Sequence, residues 1–181
     1  SSYFSSEQAG TNYLHPRKNF VNANLFAEET QDYRFQTWWR TASNESEGGY
    51  DFIKFEEITP PTGKGDTEYF YAVFMSLIRL SEVYYIAAES EPVLADKYEW
   101  LNRMRTRRGL PVLGVVSEED FMKRLRMEYL REFLGEGQIF YLYKRLFSNI
   151  NSDENGYDTN TYGAKEERYV LPLPSGEIAN R

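Results

Sequence analysis

The chain has 181 residues, 41% of them hydrophobic and 27% charged, enough for one sizeable domain with a core of its own. A net charge of −7 and a pI near 4.9 argue against nucleic acid or an anionic lipid surface as the main partner. The absence of cysteine excludes disulfides, cysteine metal sites and cysteine nucleophiles, and no run of about 18 apolar residues is present that could span a bilayer.

Residues 1–70 show no sustained helical period. Gly, Asn, Ser and Thr alternate with aromatic clusters: Tyr3 and Phe4, then Tyr33, Arg34 and Phe35, then Trp38 and Trp39, then Tyr50, Asp51 and Phe52. Aromatic residues favour extended backbone, so short strands are expected over residues 33–39 and 50–55. Thr59, Pro60, Pro61, Gly63 and Gly65 mark a break. Long irregular stretches in compact proteins tend to carry function or to pack on something larger.

Four helices are expected next. The first covers about residues 71–89, and its part from Ser76 to Glu89 is apolar on nearly every face, which predicts burial between other helices. Arg79, Glu82 and Glu89 interrupt that run and must be paired or led out to water. Pro92 opens the second helix, in which Leu94, Tyr98, Leu101 and Met104 or Arg105 fall at three- and four-residue spacing, and Gly109, Leu110 and Pro111 end it. Ser117 caps the third, Glu118, Glu119 and Asp120 fill its first turn, and Phe121, Leu125, Tyr129 and Phe133 line one face. Gly135 and Gly137 precede a fourth helix with Ile139, Phe140, Leu142, Tyr143, Leu146 and Phe147. Two successive helical hairpins describe an α-solenoid type of array, although no strict tetratricopeptide consensus is present. The fold class expected is therefore mainly α, with residues 1–70 an irregular, partly extended, aromatic-rich segment. Residues 71–181 form the helical block, with a polar loop at 148–162 and a Pro-containing tail.

Four pieces of the chain match a known family in order. They are Ile78-Arg79-Leu80-Ser81-Glu82-Val83-Tyr84 with Ala88-Glu89; Leu101-Asn102-Arg103-Met104-Arg105 running to Arg108-Gly109-Leu110-Pro111; Glu128-Tyr129-Leu130-Arg131-Glu132-Phe133-Leu134-Gly135-Glu136-Gly137; and Leu171-Pro172-Leu173-Pro174 with Glu177-Ile178. Over residues 74–181 the chain resembles the C-terminal half of the SusD/RagB-like family, surface lipoproteins of Bacteroidetes nutrient-uptake systems; residues 1–73 match only loosely. The resemblance implies a scaffold of tetratricopeptide-like hairpins and a less regular lobe that holds the ligand. It implies a non-catalytic lid on a SusC-like, TonB-dependent outer-membrane transporter, with glycans as the usual ligand and peptides for some relatives. It also implies a cell-surface location at the outer membrane, through a lipid anchor in an N-terminal part upstream of Ser1. Gln138 and Ile139 stand where the family has His-Arg, Leu142 where Asp is frequent, and Tyr129 and Leu130 where arginines are frequent.

Oligosaccharide binding needs flat aromatic platforms for sugar faces, with amide and guanidinium groups for the hydroxyls. Tyr33, Arg34, Trp38, Trp39, Arg40 and Asn44 supply those types within twelve residues. Adjacent strand residues point to opposite faces, so the competing reading puts one tryptophan in the core and the other over the scaffold. A second candidate is a calcium loop with Asn151, Asp153 and Asn155 at alternating positions before the Gly156 turn. Its twelfth position is Tyr162 instead of an acid, and Asp158 substitutes only with altered geometry; the alternative is a solvated Asn-Gly turn. Glu45 with Glu47, Glu56 with Glu57, and Glu118 with Glu119 do not specify two glycosidase carboxyls about 5–10 Å apart across a cleft, and the lone His15 offers no triad. The function expected is thus glycan binding without catalysis; the alternatives are a helical interaction scaffold or a peptide-binding relative, then a glycoside hydrolase. Glu82, Glu89, Glu132, Glu136, Arg79, Arg105 and Arg145 are read as charge-assisted struts between helices.

Overall fold

The computed structural model describes residues 20–27, 29–41, 49–54, 78–151, 161–163 and 165–170. They fall in two compact units, divided between Glu132 and Phe133. The fold is mainly helical, as the sequence predicts.

The first unit begins with a π-helical turn, Phe20–Leu25, and continues into α1 (Tyr33–Trp38), β1 (Trp39–Thr41) and β2 (Tyr50–Phe52). Strands β1 and β2 pair antiparallel, with Trp39 opposite Phe52 and Arg40 opposite Asp51. Here the strand expected over residues 33–39 is corrected: all but its last residue form a helix. Asp32 caps that helix through its carboxylate, which accepts from Arg34 N–H at 2.8 Å, and its carbonyl accepts from Gln36 N–H at 3.1 Å. A local cap and the distant partners of Arg34 outweigh the weak extended preference of aromatic residues. Around this piece Phe26, Phe35, Trp39, Tyr50 and Phe52 form an aromatic cluster with centroid separations of 4.7–6.4 Å.

Helices α2 (Leu80–Ser90) and α3 (Leu94–Arg107) fold back on each other as a hairpin, and α4 (Glu118–Phe133) packs beside them. Tyr98 of α3 meets Phe121 of α4 edge-on at 5.5 Å, and its hydroxyl donates to Asp120 at 2.8 Å. The ring of Tyr85 on α2 packs against Tyr129 at 5.1 Å, so a ring pair stands where the family resemblance expects an arginine. Phe121, Leu125, Tyr129 and Phe133 are all buried, as their spacing requires. Ser117 Oγ accepts from Asp120 N–H at 3.1 Å, the cap expected of it. Asn102 clamps the extended stretch after α3: its amide donates to Leu113 C=O at 2.9 Å and accepts from Leu113 N–H at 2.8 Å.

One expectation about α2 fails. Only Ser81, Tyr85 and Ala88 are buried, whereas Leu80, Val83 and Ile86 lie at 71, 50 and 51% exposure. The helix is apolar all round but is covered on one side only.

Helix α3 ends on a paired closing motif. Gly109 N–H donates to Thr106 C=O at 3.2 Å and Leu110 N–H to Arg105 C=O at 3.0 Å, with Gly109 at φ +78°. A Cβ added at Gly109 would sit 2.7 Å from Tyr33 Cε1. Gly109→Ala therefore carries a left-handed backbone penalty of about 1–2 kcal/mol and must push the Tyr33 ring aside. The expected readout is a lower urea midpoint at unchanged m-value; an unchanged midpoint would remove Tyr33 from this contact.

The second unit contains α5 (Gln138–Arg145), β3 (Ile150–Asn151) paired antiparallel with β4 (Thr161–Tyr162), and α6 (Glu166–Tyr169). Phe140 and Phe147 pack on the buried Tyr169 ring at 5.9 and 6.0 Å, and the Tyr169 hydroxyl donates to Ser148 C=O. Gly137, in the left-handed region, sets the entry to α5. The short β3–β4 pairing brackets the predicted polar loop, whose residues 152–160 lie outside the described residues.

Candidate functional site

Helix α1 is anchored on the helical block by charge. Arg34, 1% exposed, donates through Nε to Asp32 Oδ1 at 3.0 Å and through Nη2 to Asp32 Oδ2 and Glu128 Oε2, both at 2.7 Å. Its Nη1 reaches Glu132 Oε2 at 3.2 Å. One guanidinium thus touches three carboxylates from its own cap and two turns of α4. The fork geometry of arginine makes this possible; a lysine offers only a point charge.

Each α4 carboxylate in turn holds three guanidiniums. Glu128 accepts from Arg34, from Arg105 at 2.7 Å and from Arg131 at 3.2 Å. Glu132 accepts from Arg34, from Arg108 at 2.7 Å and from Arg79. Glu29 bridges Arg105 and Arg131, and Arg131 Nε donates to Leu25 C=O at 2.7 Å while its guanidinium covers the Phe26 ring. Among the described residues, five guanidiniums meet four carboxylates in this network. Burial alone would raise the carboxyl pKa of Glu128; Arg34, Arg131 and Arg105 outweigh it and hold the group below its ordinary value. Burial opposes the ionised form of Glu132 in the same way, and Arg108, Arg34 and Arg79 bring its pKa down. Desolvation likewise disfavours the charged form of Arg34, yet Glu128 and Asp32 keep its pKa well above the usual guanidinium value.

The network accounts for three of the charges expected as struts, Arg79, Arg105 and Glu132. The others in it, Glu29, Asp32, Arg34, Arg108, Glu128 and Arg131, were not foreseen. Spacing carried a signal for half of them: Arg105 and Arg108, and Glu128, Arg131 and Glu132, stand three and four apart on their helices.

The six residues expected to meet a sugar are placed differently from one another. Arg34 is inside the ion network. Trp39 is buried at 6% exposure, against Phe52 and Phe26. Trp38 is half-buried with Lys54 Nζ 4.2 Å from its ring centroid and the Arg79 guanidinium at 6.0 Å, so it covers the network edge. Lys54 also donates to Glu132 C=O at 2.7 Å. Arg40 is surface-exposed and lies 3.8 Å from the buried Asp51 carboxylate across the ladder. Asn44 lies outside the described residues. Tyr33 is the open aromatic: 56% exposed, its N–H donates to Arg108 C=O at 2.9 Å and its ring rests against Gly109. The calcium candidates Asp153, Asn155 and Asp158 lie outside the described residues, and Asn151 is described only as the end of β3. Among the described residues, no group of three or more His, Asp or Glu side chains is placed to hold a metal ion.

Among the described residues no helix is long and apolar enough to cross a membrane. A search of curated proteins and a search of solved structures each returned no match. The family model described as the SusD family (SusD_RagB) matches residues 27–181, a span that includes α1, β1, β2, the charged groups of the ion network and all of the helical block. The chain belongs to the SusD family.

Proposed function

We propose that the chain binds nutrient oligosaccharides at the cell surface without chemical turnover, with Tyr33 as stacking platform, and hands them to a SusC-like TonB-dependent transporter in the outer membrane. Family membership supports a nutrient- and glycan-binding surface protein at the family level. The single observation that carries the local reading is the Tyr33 ring: backed by the Gly109 backbone, exposed over more than half its area, and set on a helix immobilised by buried ion pairs. A rigid, pre-positioned aromatic surface loses little entropy when a flat apolar ligand face lands on it. Arg40 on β1 supplies an exposed guanidinium for ligand hydroxyls.

The test is calorimetric titration of a panel of neutral oligosaccharides against the native chain, Tyr33→Phe and Tyr33→Ala. Stacking predicts that Phe retains binding and that Ala loses about 1–2 kcal/mol, roughly 5- to 30-fold in affinity. An oligosaccharide that binds all three proteins equally refutes Tyr33 as the platform. If no oligosaccharide binds, the helical interaction scaffold moves ahead, favoured by the exposed aliphatic stripe Leu80, Val83 and Ile86 on α2.

A further inference from the structure

Leu80, Val83 and Ile86 fall three residues apart on the exposed side of α2, with Val83 in the middle. A continuous aliphatic stripe of this kind marks a surface that meets another protein. Helix α3 lies antiparallel beside it and frames the stripe with opposite charges at its two ends. Near the start of α3, Lys97 Nζ donates to Glu89 C=O at 3.4 Å, which sets the neighbouring Asp96 level with the end of α2. Near its close, Arg107 lines the same hollow as Leu80, level with the start of α2. Asp96 and Arg107 are both exposed, and neither makes an ion pair among the described residues. They stand about three turns apart on one side of α3.

We propose that this face is an interface between two copies of the chain, with α2 packed antiparallel on α2 about a two-fold axis at Val83. The occupant follows from charge complementarity. Turning a second copy about that axis sets Val83 against its own counterpart and Leu80 against the Ile86 of the second copy. It also lays the Arg107 end of each hairpin on the Asp96 end of the other. A two-fold interface uses the same patch on both partners, and a face with an aliphatic middle, a cation at one end and an anion at the other complements itself. A wholly acidic or wholly basic partner would oppose one end of the face with a like charge. Glu82, next to Val83, is the acid that the axis brings nearest to its own copy, and it limits the affinity. Three turns of one helix bury less than the about 800 Å² per partner of a standard interface, so the dimer is weak, half-formed near about 0.1 mM. Tyr33 lies on α1, outside this face, so the dimer goes beyond the glycan reading and does not depend on it.

The experiment is sedimentation equilibrium of the 181-residue chain from about 10 μM to about 1 mM. The average mass should climb from 21.3 kDa toward twice that value. Val83→Glu sets two carboxylates face to face on the axis and should weaken the dimer at least about tenfold. Its melting temperature in dilute solution should stay at the parent value, because Val83 is half exposed. Glu82→Gln should tighten the dimer. Arg107→Glu and Asp96→Arg should each weaken it several-fold, since exposed ion pairs contribute little. Mixing those two variants should restore association, because the mixed dimer holds one native ion pair and one reversed pair. A mass of 21.3 kDa at every concentration overturns the proposal. So does association that Val83→Glu leaves untouched, or a mixture that associates no better than its two components. Oligosaccharide affinity of Val83→Glu should equal that of the parent, so that failure of the dimer leaves the Tyr33 platform standing, and the reverse.

Discussion

Replacing Arg34 by methionine is expected to lower unfolding free energy by about 3–5 kcal/mol, the cost of removing one partner from a buried ion pair. For a chain of this size that is a fall in melting temperature of about 6–20 °C. Methionine fills much of the volume, so packing loss is not the main term. What remains is a set of carboxylates, Asp32, Glu128 and Glu132, that have lost the guanidinium touching all three. Arg34→Lys is expected to recover less than half of the loss, because an ammonium cannot reach three carboxylates in a plane. The same variant separates two roles for this residue. If Arg34 acts only in the network, stability falls and oligosaccharide affinity weakens by no more than in Tyr33→Ala, since only the positioning of the Tyr33 ring is lost. A variant that melts like the parent and has lost affinity would make Arg34 a ligand contact and refute its structural role.

The helices were legible where local chemistry decides them. Ser117 and Gly109 mark the start of α4 and the end of α3 because a cap and a left-handed turn are properties of a few adjacent residues. The four-residue spacing of Phe121, Leu125, Tyr129 and Phe133 identifies one buried face without knowing what covers it. Helix α2 shows where this stops. A helix apolar on every side carries no directional signal, so nothing in the residues 76–89 indicated that Ser81, Tyr85 and Ala88 turn inward while Leu80, Val83 and Ile86 turn out.

The aromatic piece was harder to read for a different reason. Helix α1 owes its start to the Asp32 cap but is held by the pull on Arg34 of Glu128 and Glu132, which lie 94 and 98 residues further along the chain. No window of neighbouring residues contains that information, and on local preference alone an aromatic stretch reads as a strand. The adjacent tryptophans part as the competing sequence reading has it: β1 turns Trp39 to the aromatic core and leaves Trp38 over the scaffold beside Lys54 and Arg79.

The network also sets how the protein should respond to acid. Glu29, Glu128 and Glu132 all titrate below their ordinary value in the folded protein, held down by the guanidiniums around them against the effect of burial. A carboxyl whose pKa is depressed by folding binds fewer protons folded than unfolded, so its contribution is present above the unfolded pKa, about 4.3. That contribution is lost as pH falls through the lower folded values. The melting temperature is therefore expected to be flat from about pH 7 to 5 and to fall steeply below about 4.5. Glu132→Gln mimics the protonated acid: it should melt well below the parent at pH 7, show a shallower decline, and converge on the parent at low pH. Because Glu128 and Glu132 are buried, added salt should screen this difference only weakly. Thermal melts of the two proteins across pH 3–7, at low and high salt, measure it directly. Parallel curves, offset by the same amount at every pH, would mean that Glu132 contributes shape to the fold and no charge.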